Sequence, residues 1–198
     1  MTPEAEFTAD PKRARIIEGA MRMFLAYGFA RTTMDDIARA AEVSRPALYL
    51  LFKNKSDIYR AIATMLFDQS IATAQAELAV EAPFGERVVA AIDKSLIGMM
   101  QPFAQSPHGA EILDMKNSLA GELMGAWRER LVGLLAEATA AEAARTGTDL
   151  AARGLSAQTL AELLLDGLEG MKMRTSDPDE QRQAARGLVT VIELALRA

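Results

Sequence analysis

The sequence predicts an all-α protein of about nine helices. A small N-terminal three-helix unit containing a helix-turn-helix is followed by a larger helical body. Three observations carry this. Apolar residues recur at helical spacing along almost the whole chain. The prolines sit near segment ends, at Pro11, Pro46, Pro83, Pro102, Pro107 and Pro178. The alternation that marks strands is absent, and β-branched residues are sparse.

The first helix is expected at about residues 12 to 28, with Ile16, Ile17, Ala20, Phe24 and Tyr27 on one face and Gly28 as C-cap. The second is expected at about 34 to 41 and the third at about 45 to 51. A fourth starts near Ser56 and runs to about 79; a fifth covers about 84 to 104. "QSPHGAEIL" leads into a short sixth, to about 117, and the seventh runs from about 119 to 145. After the polar, glycine-containing loop "RTGTDLAARGLS", the eighth covers about 157 to 174 and the ninth about 179 to 197. The expected division is a flexible segment 1–11, a helix-turn-helix domain 12–61 and a helical body 62–198.

Composition bounds the function. Half of the 198 residues are hydrophobic and a quarter charged, the balance of a soluble globular protein. There is no cysteine, which excludes disulfides and thiolate-held metals and suits a reducing cytoplasm. The opening "MTPEAEFTAD" lacks the apolar run of a signal peptide, and no stretch is long and apolar enough to span a membrane. The net charge is −5, yet residues 11–60 hold ten Lys/Arg against five Asp/Glu. That is +5, which leaves −10 for the rest of the chain. A basic segment on an acidic body is what local phosphate binding needs.

The chain breaks at Glu42-Val43-Ser44, inside "TTMDDIARAAEVSRPALYLLF". Thr33-Met34-Asp35-Asp36 has the form of a capping box, in which the Thr33 hydroxyl accepts from the Asp36 backbone N–H. Ile37, Ala38 and Ala41 turn to a core. Ser44 caps the next helix, and Pro46 sits in its first turn, where a missing N–H costs nothing. Leu48 and Phe52, four apart, face the same core. This is a helix-turn-helix whose second helix is too short and too polar at its start to serve packing alone. Its first turn, Arg45-Pro46-Ala47, suits insertion into a major groove, where Arg45 and the Tyr49 hydroxyl meet bases and phosphates.

The order "FLAYGF", "RTTMDDIARAAEVS", "ALYLLFKNKSDIYRAI", from about Ile16 to Ala61, resembles the DNA-binding domain of the TetR (tetracycline repressor) family of bacterial transcription factors. The resemblance implies that Thr33 contacts a phosphate as well as capping its helix. It implies that Arg45, Pro46 and Ala47 face bases, Tyr49 reaches the backbone and Lys55 binds a phosphate. Three positions depart from the commoner family pattern. Glu42 stands where a turn glycine is frequent, at a cost of roughly 1 kcal/mol if its φ is positive. Leu50 and Leu51 replace a frequent Tyr-His or Tyr-Arg pair and leave that helix more apolar.

The body offers no catalytic constellation. His108, the only histidine, lies in a loop beside Pro107 and Gly109, and neither a phosphate loop nor a paired-acid motif is present. No enzyme, cofactor or metal site is expected. Methionine is abundant at eleven, including Met65, Met99, Met100, Met115, Met124, Met171 and Met173. Met is adaptable core filling and also suits a pocket for apolar ligands. Leu160, Leu163, Leu164, Gly167, Leu168 and Met171 form a helical stripe, as do Leu188, Val189, Ile192 and Leu196. Such faces pack on their own domain or on a partner. The resemblance implies an effector pocket among the fourth, fifth, seventh and eighth helices, where Phe67, Met99, Phe103 and Trp127 fall. It also implies a four-helix homodimer interface through Leu160, Leu164, Gly167, Leu168, Leu188, Ile192 and Leu196. The function expected is a ligand-responsive regulator of transcription, a repressor released from a near-palindromic DNA operator by a small, largely apolar effector. The alternative is a helical interaction scaffold whose helix-turn-helix does not bind DNA.

Overall fold

The structure, a computed structural model, describes residues 10–112 and 120–197. Residues 1–9 of the expected flexible segment, Met115 and the end of the expected sixth helix lie outside the described residues. Asp10 and Pro11 do not belong to a tail: the Asp10 carboxylate caps the first helix by accepting from Lys12 N, and Pro11 is its first residue.

Helix follows helix with no strand among the described residues. They are α1 (Pro11–Tyr27), α2 (Met34–Ala40), α3 (Arg45–Leu51), α4 (Lys55–Leu78), α5 (Phe84–Ile92), α6 (Gly98–Ala104), α7 (Gly121–Thr146), α8 (Ala157–Lys172) and α9 (Pro178–Ala195). The expected fifth helix is one run, α5 and α6, joined by a π-helical stretch Asp93–Ile97. A further helical stretch, 109–112, precedes residues 113–119.

The chain forms two compact units, and they do not part at residue 61 as expected. Among the described residues, 10–66, 102–112 and 120–124 form the first unit, and 67–101 and 125–197 form the second. The reason is a set of polar ties that bring 106–112 back to the N-terminal helices. Ser106 Oγ donates to the Leu25 carbonyl at 2.6 Å, Tyr59 Oη to the Ile112 carbonyl at 2.7 Å, and Ala30 N to Glu111 Oε1 at 3.0 Å. These residues are far from α1 in sequence, so helical periodicity carries no trace of the pairing.

In the first unit, Ile16, Ala20, Ile37, Leu48 and Ile58 are fully buried, with Phe24 and Phe52 beside them. Tyr27, expected on this face, is instead exposed at the end of α1. Gly19 lets α1 touch the end of α2. A Cβ there would lie 3.0 Å from Ala41 N and 3.2 Å from the Ala40 carbonyl carbon.

In the second unit, Ile71, Val88, Leu135, Leu168 and Val189 are fully buried. The apolar stripes of α8 and α9 meet there: a Cβ on Gly167 would lie 2.9 Å from Leu188 Cδ1. No helix among the described residues is long and apolar enough to cross a membrane.

Candidate functional sites

The turn between α2 and α3 is built as its residues require. Thr33 Oγ1 accepts from Asp36 N at 3.2 Å, and Thr33 N donates back to Asp36 Oδ2 at 3.0 Å, which closes the capping box. The hydroxyl also donates to Asp36 Oδ2 at 2.6 Å. These bonds from Thr33, with Arg39 at 2.5 Å, hold the Asp36 carboxyl below the usual carboxylate range. Glu42 takes φ +53°, the left-handed turn residue that the sequence filled without glycine. Ser44 Oγ then accepts from Ala47 N, and Leu48 anchors α3 in the core.

That anchoring sets what α3 presents. Arg45, Pro46, Tyr49 and Leu50 are exposed and Ala47 is half-buried. Leu50 is 86% exposed, so the apolar surface expected from the Leu50 departure exists, whereas Leu51 is half-buried. Arg45 is not loose. Its Nη1 lies 3.0 Å from Asp35 Oδ2 on α2, and its guanidinium sits 5.6 Å from the centre of the Tyr49 ring. Asp35, Ala38, Arg39, Val43 and Arg45 line an open cleft of about 460 Å³.

Two expected phosphate ligands have other work in the structure. Lys55 Nζ donates to the carbonyls of Phe29, Ala30 and Thr32 at 2.7, 3.1 and 3.1 Å, and lies 4.6 Å from the centre of the Phe29 ring. An ammonium has three protons, so it is fully engaged in tying the loop after α1 to the start of α4. Thr33 has both its N–H and its hydroxyl committed to Asp36. The sequence signal for both was a motif position, and motif positions do not show which acceptors lie nearby.

Of the expected effector residues, Phe67 and Trp127 come together in the second unit, their rings stacked 5.4 Å apart. Trp127 Nε1 donates to Ser70 Oγ at 3.0 Å, and Ser70 Oγ donates to the Ser95 carbonyl at 2.8 Å. Ser95 lies in the π-helical stretch, its own hydroxyl buried without a protein partner. Ser70 and Ser95 are almost fully buried, and helical period in an apolar stretch gave no reason to single them out. Met99 is half-buried in the same unit, Phe103 is buried in the first unit, and Met173 is 89% exposed. An open cleft of about 430 Å³ in the second unit lies elsewhere, lined by Phe84, Glu142, Arg145, Thr146, Glu193, Leu196 and Arg197.

The residues expected at the dimer interface are already covered within a single chain. Leu160, Leu164, Leu168, Ile192 and Leu196 are each at most 5% exposed within a single chain, and Gly167 abuts Leu188. These stripes join α8 and α9 to their own unit and leave little for a partner. The apolar residues that remain exposed are Leu163 on α8 and Val191 and Leu194 on α9. Thr159, Gly170, Gln183 and Gly187 continue that outer face at helical spacing, and a Cβ on Gly170 or Gly187 would meet nothing within 4 Å.

Residues 16–62 match the family model described as bacterial regulatory proteins, tetR family. The regulator TtgR of Pseudomonas putida is 45% identical over 60 residues, 30% of this chain and 29% of that protein. The chain therefore matches less than a third of the length of that relative. The repressor Rv1474c of Mycobacterium tuberculosis is 26% identical over 197 residues, 94% of this chain and 93% of its own. Among solved structures, SmeT, the repressor of the Stenotrophomonas maltophilia efflux pump SmeDEF, shares the fold with a TM-score of 0.59 at 18% identity, covering 90% of this chain and 88% of that one. Residues 16–62 are thus similar to the DNA-binding segment of the tetR family, and the chain shares its fold with a solved repressor of that size.

Proposed function

We propose that the protein is a one-component, cytoplasmic regulator of transcription that binds double-stranded operator DNA through α3. The observation that carries this reading is the build of α2, turn and α3. Leu48 holds the short helix by one side, so Arg45, Pro46, Ala47 and Tyr49 meet a groove from the other. Arg45 reads a base, most favourably guanine through O6 and N7. Tyr49 meets the backbone. Lys55, tied to three carbonyls, supports the domain from within rather than neutralising a phosphate.

The protein acts as a homodimer through the outer faces of α8 and α9, around Leu163, Gly187, Val191 and Leu194. Two recognition helices about 34–36 Å apart then fit a near-palindromic operator. Repression is the direction supported by the names of Rv1474c and SmeT, both repressors. A small, largely apolar effector binds beside Phe67 and Trp127 and shifts α4, which contributes residues to both units. A preference of about 1–3 kcal/mol for the released state changes operator affinity 5- to 150-fold.

The exposed Leu50 favours the alternative, an apolar interaction scaffold, and salt dependence separates the two readings. Log affinity for DNA should fall with log salt by about 0.9 per phosphate neutralised. Arg45→Ala should cost about 1–3 kcal/mol on the operator and relax preference at one position of each half-site. Affinity that ignores salt, or an Arg45→Ala loss equal on all sequences, would overturn the assignment.

A further inference from the structure

We infer that Asp35 is a positioning residue for base reading: it holds Arg45 in a presenting orientation and thereby sets the specificity of α3. The inference rests on the DNA-binding reading above. Two carboxylates stand in the first turn of α2, and the structure gives them different work. Asp36 is saturated by Thr33 and Arg39 and belongs to the cap. Asp35 takes no part in the cap, and its partner is Arg45, across the turn on the exposed start of α3.

Arginine is a long side chain, and fixing its rotamers on a base costs entropy. Here the Asp35 carboxylate and the Tyr49 ring meet much of that cost in the free protein. The pair uses Nη1, and a guanidinium carries five N–H donors. Others therefore remain for guanine O6 and N7 while the ion pair persists. The pair borders an open cleft, so a base edge reaches it from solvent.

The same carboxylate penalises wrong sequences. Off the operator, Arg45 gains most by turning to a phosphate. That movement leaves the Asp35 charge unpaired beside a polyanion. Asp35 thus weakens sequence-independent binding more than operator binding, and its contribution is to the ratio of the two. Both side chains are more than half exposed, so the effect is modest. An exposed pair of this kind shifts an equilibrium up to about five-fold, hence up to roughly 25-fold across two half-sites.

The test is a specificity cycle on the full-length dimer at one salt concentration, with wild type, Asp35→Asn, Asp35→Glu, Arg45→Ala and the Asp35→Asn/Arg45→Ala double variant. Affinities are measured on an operator selected with the wild type, on that operator changed at each base pair in turn, and on unrelated DNA. Asp35→Asn should tighten unrelated DNA, lower the operator-to-unrelated ratio, and flatten preference only at the position that Arg45→Ala flattens. Asp35→Glu should restore part of that preference. In the Arg45→Ala background, Asp35→Asn should leave the ratio unchanged. An unchanged ratio for Asp35→Asn in the wild-type background, or equal weakening at every position, overturns the inference while leaving the DNA-binding reading intact. Wild type that selects no operator overturns that reading itself.

Discussion

The helix-turn-helix and the closing helices α8 and α9 are both read from apolar residues at helical spacing, yet the spacing means different things in them. In the first, short polar devices fix each turn: the Thr33–Asp36 box, the Ser44 cap, the left-handed Glu42. Little core is available to α2 and α3, of seven residues each, so the exposed side is whatever the caps leave outside. In the second, broad leucine stripes are used up within one chain, and the docking face we propose is the weaker stripe on the far side. A local device names its own partner in sequence; an apolar stripe says only that it will be buried.

Charge on the outer face has the largest expected effect. Val191→Glu with Leu194→Glu should give monomers by sedimentation and lower operator affinity by at least about 100-fold, because burying unpaired charge costs several kcal/mol. Gly167→Leu strikes the inner seam instead. It should lower thermal stability by about 1–3 kcal/mol through overpacking against Leu188, with less effect on assembly. The reverse pattern would return the leucine stripes to the dimer interface.

The polar ties of the first unit make a pH prediction. Burial pushes the Tyr59 hydroxyl from 10.0 up to about 12. A raised folded-state value means the stabilisation is complete below pH 10 and lost as pH climbs from 10 towards 12. The loss approaches about 3 kcal/mol. Tyr59→Phe should be less stable at neutral pH, since the Ile112 carbonyl loses its donor, and should lack most of this alkaline decline. Chemical denaturation across pH 9 to 12 measures both; parallel curves for the two proteins would contradict the buried, bonded hydroxyl.

Lys55→Ala distinguishes a tie from a phosphate ligand. As a tie it should destabilise the protein by about 1–3 kcal/mol, by thermal melting, with little change in the salt slope of DNA binding. A phosphate ligand would show the opposite, unchanged melting and a slope flatter by about one unit. The smallest effect is at the turn. Glu42→Gly should stabilise by at most about 1 kcal/mol, because relief of left-handed strain is partly offset by a more flexible unfolded chain. Destabilisation would mean that the Glu42 side chain contributes more than its backbone costs.

The sequence was most legible where chemistry is local. The bounds of α3, the Thr33 and Ser44 caps and the buried Leu48 and Phe52 follow from residues within four positions of one another. It was least legible where partners are distant. Nothing near Lys55 in sequence announces the carbonyls of Phe29, Ala30 and Thr32, and nothing near Arg45 announces that Asp35 would claim its guanidinium. Ser70 and Ser95 were invisible for a related reason: a small polar residue in an apolar helix looks exposed until Trp127 Nε1 is found against it. The dimer interface was hard to read because period alone assigns a face, not the chain that covers it.

Whether a pair of α3 helices reads DNA through the turn Arg45-Pro46-Ala47 is decided by selecting bound sequences from a random duplex pool with the full-length protein. The pool should yield two related half-sites in inverted orientation, their centres about one or two helical turns apart, each with a strongly preferred base pair whose preference disappears with Arg45→Ala. Enrichment of no motif, or of a motif that Arg45→Ala leaves unchanged at every position, would contradict it.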